Sequence, residues 1–195
     1  MNPVDPVCLG SDEGGATTDD RARQAAFRAV FQKEFDYVWT SLRRLGVDTR
    51  DLEDVAQDVF IHVHHRWPEY DAKRPIRPWL FAFAARCASD WRRLARHRVE
   101  VMGVSGEPAG VAPRADDALE RSRDLALVLS ALEEIDLDRR SVFILHELDE
   151  YSMKEVTEVL GIPLFTGYSR LRVARQEFTA AVRRLRPEQA GRGET

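Results

Sequence analysis

Cysteine is scarce in this chain. Cys8 and Cys87 are the only two among 195 residues. A pair so spaced makes no disulfide framework, and it suits a reducing, cytoplasmic location. Long apolar runs are missing too, since no stretch approaches the ~18 consecutive apolar residues of a membrane span. The first residues, MNPVDPVCLGSDEGG, lack a basic start followed by an apolar run, so no secretory signal is expected. The chemistry of catalysis is also wanting. There is no glycine-framed serine, no phosphate loop and no triad signature, which argues against an enzyme and against a bound cofactor. His62, His64 and His65 crowd one short stretch, and His62 and His65 can face one way on a helix. No cysteine or further carboxylate completes four ligands at a usual spacing, so no metal is expected. Strand-like alternation and internal repeats are absent as well.

What remains is apolar periodicity and arginine. Hydrophobic residues make up 44 % of the chain, enough for a packed core, and the length suits one or two small domains. The net charge of −4 gives no hint of nucleic acid while it is read as an average. Its distribution does. Between 86 and 98 stand Arg86, Arg92, Arg93, Arg96 and Arg98 against Asp90 alone. Between 165 and 186 stand Arg170, Arg172, Arg175, Arg183, Arg184 and Arg186 against Glu177 alone. Asp5, Asp12, Glu13, Asp19 and Asp20 concentrate acid near the start. A local basic stripe is what attracts phosphate. Either stripe alone would pass for a solvated helix face; two, each backed by an apolar face, are harder to dismiss.

The expected architecture is all-α, with two small helical domains joined by a flexible linker. Residues 1–19 read as a disordered acidic tail. The first domain, 20–98, holds three helices. One spans about 20–45, with Phe27, Phe31, Phe35, Val38, Leu42 and Leu45 inward and Gly46 as its stop. The next spans about 50–66, with Leu52, Val55, Val59 and Val63 inward and Asp54, Asp58, His62 and His65 opposite. The third starts near Pro78, with Leu80, Phe83, Cys87, Trp91 and Leu94 inward and Arg86, Asp90, Arg93 and His97 outward. Cys87 is therefore expected to be buried and inert. Residues 99–116, with Gly103, Gly106, Pro108, Gly110 and Pro113, read as the linker. As a flexible coil its ends would lie ~20–25 Å apart on average and ~60 Å apart when stretched, enough to separate two modules.

The second domain, 117–187, begins with helices at about 117–135, with Leu125, Val128, Leu132 and Ile135 inward, and at about 139–149. Ser152 and Glu155 are spaced as a capping box. The short helix that follows turns Met153, Val156 and Leu160 inward, stops at Gly161, and cannot continue through Pro163. A last helix spans about 165–185, with Gly167, Leu171, Ala174 and Phe178 inward, and a short tail follows at 188–195. Little chain remains there for a further regulatory domain. A short capped helix, a tight glycine turn and a longer basic helix are the grammar of a helix-turn-helix, whose second helix enters the major groove. Tyr168, Ser169, Arg170, Arg172, Arg175 and Gln176 are left outward or flanking.

The segment YSMKEVTEVLGIPLFTGYSRLRVAR (151–175) resembles the promoter-reading helix-turn-helix of sigma factors. LEDVAQDVF (52–60) and WLFAFAARCASDWRR (79–93) resemble their second conserved domain. The short two-domain layout is similar to the extracytoplasmic-function group of the sigma-70 family, over about 22–98 and 118–186. That resemblance implies a bacterial RNA polymerase subunit, a protein that binds promoter DNA and catalyses nothing. It implies that Asp54, Gln57 and Asp58 bind core polymerase. It assigns Trp79, Arg86, Asp90, Arg93 and Arg96 to the melted minus-10 element, and Tyr168, Ser169, Arg170, Arg172 and Arg175 to the minus-35 duplex. It also implies an anti-sigma partner. The chain departs from the family pattern at Arg86, where asparagine is common, at Asp136 for proline, at Gly167 for a branched residue, and at Val173 for arginine. Two other readings compete. One is a helix-turn-helix regulator that binds duplex DNA without polymerase. The other is an interaction protein that docks on polymerase but has lost promoter reading, for which Gly167 speaks.

Overall fold

The computed structural model describes residues 18–102 and 116–186, with side chains from 21 to 97 and from 123 to 186. The expected tails (1–19 and 188–195) and linker (99–116) fall wholly or mostly outside those residues, as does the side chain of Arg98. All regular structure among the described residues is helical. The helices are α1 (Thr18–Arg44), α2 (Leu52–Arg66), α3 (Ile76–Met102), α4 (Asp116–Glu133), α5 (Leu137–Phe143), α6 (Met153–Leu160) and α7 (Leu164–Leu185). A 3₁₀ turn, Trp67–Glu69, follows α2, and a π-helical turn, Ile144–Leu148, extends α5.

Helix ends follow from local chemistry. Gly46 adopts φ 85° just beyond α1. Its N–H donates to Arg43 and that of Val47 to Leu42, which closes the helix as a Schellman turn. Gly161, φ 65°, ends α6 in the same way. The capping box is present: the Ser152 hydroxyl accepts from the Glu155 N–H, and the Glu155 carboxylate accepts from the Ser152 N–H. Asp136, standing where proline is usual, starts α5 by accepting the N–H of Asp138 at 3.1 Å.

The first three helices pack together, and α4, α5, α6 and α7 form a second group. The expected stripe of α2 is buried throughout, with Ala56 and Phe60 added to it. On α1, Val38, Leu42 and Leu45 are buried, while Phe31 stays 37 % exposed and leans on Phe60. Two expectations are corrected. The buried face of α3 is Leu80, Phe81, Ala84 and Ala88, whereas Leu94 is 58 % exposed. The expected Phe83, Cys87 and Trp91 are partly buried and pack against that core. Leu125 on α4 is likewise exposed at 49 %. Ala131 and Leu132 of that helix are fully buried.

The two groups do not stand apart. One continuous apolar core joins them, α4 lies on α1, and α6 lies on α3. Polar contacts follow the same seam. Asp149 accepts from the Tyr37 hydroxyl at 2.8 Å and from Arg44 at 2.9 Å, and Arg74 pairs with Glu158 at 2.7 Å.

Candidate polymerase and promoter surfaces

Three surfaces carry the expected residues. The first is the outward face of α2. Asp54, Gln57 and Asp58 are exposed there, above the buried row Leu52, Val55, Ala56 and Val59. Neither Asp54 nor Asp58 has an ion pair among the described residues, although Asp48, Asp71, Asp90, Asp138 and Asp149 each hold an arginine. A shallow groove beside this face brings Asp54, Asp58, Asp90, Cys87 and Trp91 together. Asp90 thus stands with the acids of α2 as well as on the arginine row of α3. The Trp91 indole N–H donates to Asp51 at 2.8 Å, a structural bond that ties α3 to the start of α2. Cys87 is half-buried there, and burial pushes its thiol up to about 11, which makes it unreactive at neutral pH. The His62 Nδ1–H donates to the Asp58 carbonyl at 2.8 Å, and His64 lies edge-on to Phe27.

The second surface is on α3. Trp79 sits among aromatic rings, with Tyr70 and Phe83 centroids each 4.9 Å away and Trp67 at 6.2 Å. It is half-exposed, so it is part of the packing and still shows an edge to solvent. Arg86, Arg93 and Arg96 are exposed. Asp90 lies one turn on from Arg86, yet no ion pair forms between them. Asp90 takes Arg93 instead, at 3.0 Å. Arg86 lines a crevice whose opposite wall is Leu137, Asp138, Val159, Leu160 and Arg170, from the other helix group.

The third surface is α7. Gly167 is buried at the crossing of α6 and α7, where an added Cβ would meet the Thr157 methyl at 2.5 Å and the Met153 sulfur at 2.7 Å. Glycine is there because the two helices of the helix-turn-helix approach too closely for a side chain. The position faces inward, so its departure from the family removes nothing from the outward face. Tyr168, Ser169 and Arg172 are exposed. Arg172 has no ion pair among the described residues, whereas Arg170 is held by Asp138 at 2.5 Å and Arg175 by Glu147 at 2.6 Å. Sequence reasoning missed one feature. Leu164 and Phe165, at 51 % and 85 % exposure, project from the first turn of α7 beside Tyr168. The signal was present, since Phe165 falls outside the inward row of Gly167, Leu171, Ala174 and Phe178.

Comparison with known proteins gives these surfaces a context. The family model for Sigma-70 region 2 matches residues 30–98, and that for Sigma-70, region 4 matches residues 125–178. The RNA polymerase sigma factor NccH of Alcaligenes xylosoxydans xylosoxydans is 28 % identical over 173 residues, covering 87 % of this chain and 93 % of that protein. The RNA polymerase sigma-E factor of Streptomyces coelicolor is 30 % identical over 168 residues, covering 85 % and 87 %. Among solved structures, CnrH in complex with the cytosolic domain of CnrY matches with a TM-score of 0.61 and 24 % identity, over 84 % of this chain and 91 % of that one. RpoE in complex with the anti-sigma factor NepR, from Bartonella quintana, matches with a TM-score of 0.63 and 19 % identity, over 83 % and 99 %.

Proposed function

This chain belongs to the extracytoplasmic-function group of the sigma-70 family and directs RNA polymerase to promoters, and from that premise we propose how its surfaces divide the work. Asp54, Gln57 and Asp58 dock on the core enzyme. The observation that carries this is the row of unpaired carboxylates over a fully buried stripe. Carboxylates without an intramolecular partner lose no ion pair when a basic partner arrives, and they steer its approach. Trp79, Arg86, Arg93 and Arg96 receive the melted minus-10 strand, the arginines by phosphate or base contact and the tryptophan by stacking on its exposed edge. Asp90 acts there by orienting Arg93. Helix α7 reads the minus-35 duplex. Arg172 makes the direct contact, with Tyr168 and Ser169 beside it, and Phe165 offers an apolar face to thymine methyl groups.

On this reading the protein supplies binding and no chemistry of its own, and it works in the cytoplasm with polymerase. An anti-sigma protein is its expected partner, as in the complex of RpoE with the anti-sigma factor NepR. The test is reconstituted transcription. The purified full chain, added to core polymerase, is expected to start transcripts at one class of promoter, and the core alone is not. Duplex binding without any promoter-dependent transcript would instead identify a helix-turn-helix regulator.

A further inference from the structure

Basic residues gather on a third helix besides α3 and α7. Between 21 and 33 stand Arg21, Arg23, Arg28 and Lys33, with no carboxylate among them. The first acid beyond, Glu34, is buried and paired with Arg77 at 2.8 Å. The stretch forms the N-terminal half of α1, and no residue of it is buried. Arg21 and Arg28 are exposed and have no ion pair among the described residues. They lie about two turns apart on one face, with Gln24 between them. Lys33 stands about 140° round the helix from Arg28, on another face.

Aromatic rings border that face. Gln24, Phe27, Arg28, Phe31 and His64 line a shallow groove between α1 and α2, and both Phe31 and His64 are exposed. Phe27 meets His64 at 4.9 Å and Trp67 at 5.7 Å, centroid to centroid. Trp67 stacks on Tyr70 at 5.3 Å, and Tyr70 meets Trp79 at 4.9 Å. A path of rings thus runs from Trp79 to the cations of α1. The charge selects the occupant. Unpartnered arginines attract phosphate, and exposed rings beside them offer stacking to unpaired bases of any sequence. A duplex keeps its bases stacked within itself and leaves such rings unused. A single strand satisfies both.

We propose that the N-terminal half of α1 binds single-stranded DNA, and that the strand melted at the minus-10 element continues past Trp79, along Trp67 and Phe27, onto Arg21 and Arg28. The placement beside the minus-10 element rests on the sigma reading; strand binding by α1 does not. The two arginines hold phosphates, and Phe31 and His64 lie alongside for the bases. Phosphate contacts and stacking carry little sequence information, so this surface adds affinity for open DNA without changing which promoter is chosen.

Fluorescence anisotropy of labelled oligonucleotides tests it, with the full chain alone and with the chain bound to core polymerase. Arg21→Glu with Arg28→Glu is expected to weaken binding of a mixed-sequence single strand roughly tenfold, with helical circular dichroism and duplex binding unchanged. Arg21→Ala with Arg28→Ala should flatten the slope of log affinity against log salt by about 1.4, at ~0.7 for each phosphate. Lys33→Glu makes the same charge change as Arg28→Glu on another face and is expected to leave strand binding as it was. In the polymerase complex, a strand extended beyond the minus-10 element on one side should bind more tightly than the element alone, and the double glutamate variant should lose that gain only. Unchanged strand affinity in the double variant overturns the proposal. So do equal losses from Arg28→Glu and Lys33→Glu, which would reflect net charge alone, and equal losses on single strand and duplex. Loss of polymerase binding with strand binding intact makes the face a protein contact and overturns it too. A chain whose α1 variants behave as expected but which directs no transcription supports strand binding by α1 and counts against the sigma reading alone.

Discussion

The carboxylates of α2 and the arginines of α7 are handled in opposite ways. Asp54 and Asp58 are exposed and have no ion pair among the described residues. Across the second helix group arginines are tethered, Arg139 to Glu177, Arg170 to Asp138, Arg175 to Glu147 and Arg184 to Glu134. Arg172 and Arg183 of α7 have no ion pair among the described residues. A free carboxylate binds a basic partner at full strength. A tethered arginine must exchange a carboxylate for a phosphate, so the gain is only the difference between two ion pairs. On the proposed division of surfaces, the α2 face is built for strength and α7 for weak, discriminating contact. A subunit that must hold its enzyme firmly and then leave the promoter needs both.

The largest effect expected from this contrast is on the acidic face. Asp54→Lys with Asp58→Lys should weaken binding to core polymerase roughly 100-fold, since coupling across close charge pairs at an interface runs to several kcal/mol. Helical circular dichroism should not change, because both side chains are exposed and unpaired. Binding to a duplex carrying the promoter should also survive. Co-purification with core polymerase at wild-type yield would remove α2 from the interface.

Much of this contrast was legible in the sequence, for a physical reason. The acidic face of α2 was found because Leu52, Val55, Val59 and Val63 keep helical spacing, so the opposite face follows by geometry. The cap at Ser152 and the stop at Gly161 were readable because they depend on residues within four positions. The same local logic holds only in part on α3: of the expected stripe Leu80 is buried and Phe83, Cys87 and Trp91 pack against the core, but Leu94 is exposed, and the buried Phe81, Ala84 and Ala88 escape a count of regularly spaced large apolar residues. Tertiary ion pairs were out of reach altogether. Which arginines of α7 are tethered depends on Asp138 and Glu147, 32 and 28 residues away. The buried guanidinium of Arg140 was equally hidden, because its partner Leu45 lies 95 residues away and offers a carbonyl, which has no sequence signature.

A smaller effect separates the arginines of α7. Arg172→Ala should cost ~1–3 kcal/mol of duplex binding, the range for an arginine that reads a base. Glu147→Gln should act in the other direction, because it frees Arg175. An exposed ion pair is worth up to about 1 kcal/mol, so the gain in DNA affinity should be at most about fivefold. Titration of promoter and scrambled duplexes over a range of salt also assigns roles. If Arg172 holds a phosphate, its loss weakens both duplexes and flattens the salt dependence; if it reads a base, only the promoter suffers. Equal losses from Arg172→Ala and Arg175→Ala, with no gain from Glu147→Gln, would erase the distinction between tethered and free arginines.

The smallest effect concerns Arg86, a charge on α3 that resembles the α2 acids in having no ion pair. Its neighbour Asp90 is taken by Arg93, and Arg86 itself has no ion pair among the described residues. The intrahelical bridge that would have made it structural is absent, so its charge is available to a ligand. Many relatives in the family pattern carry an amide here, which both donates and accepts, whereas arginine only donates, in a rigid fork. Arg86 should therefore favour an acceptor-rich edge such as guanine at one position of the minus-10 element, or grip a phosphate there. Active promoters selected from a library randomised over that element, with the native chain and with Arg86→Asn, distinguish the two. Base reading predicts that preference shifts at a single position while overall activity stays within a few-fold. A phosphate contact predicts a uniform loss across the library, larger at low salt, with preference intact. If neither preference nor activity moves, Arg86 has no part in promoter opening, and the free charge on α3 differs in kind from the free charges on α2.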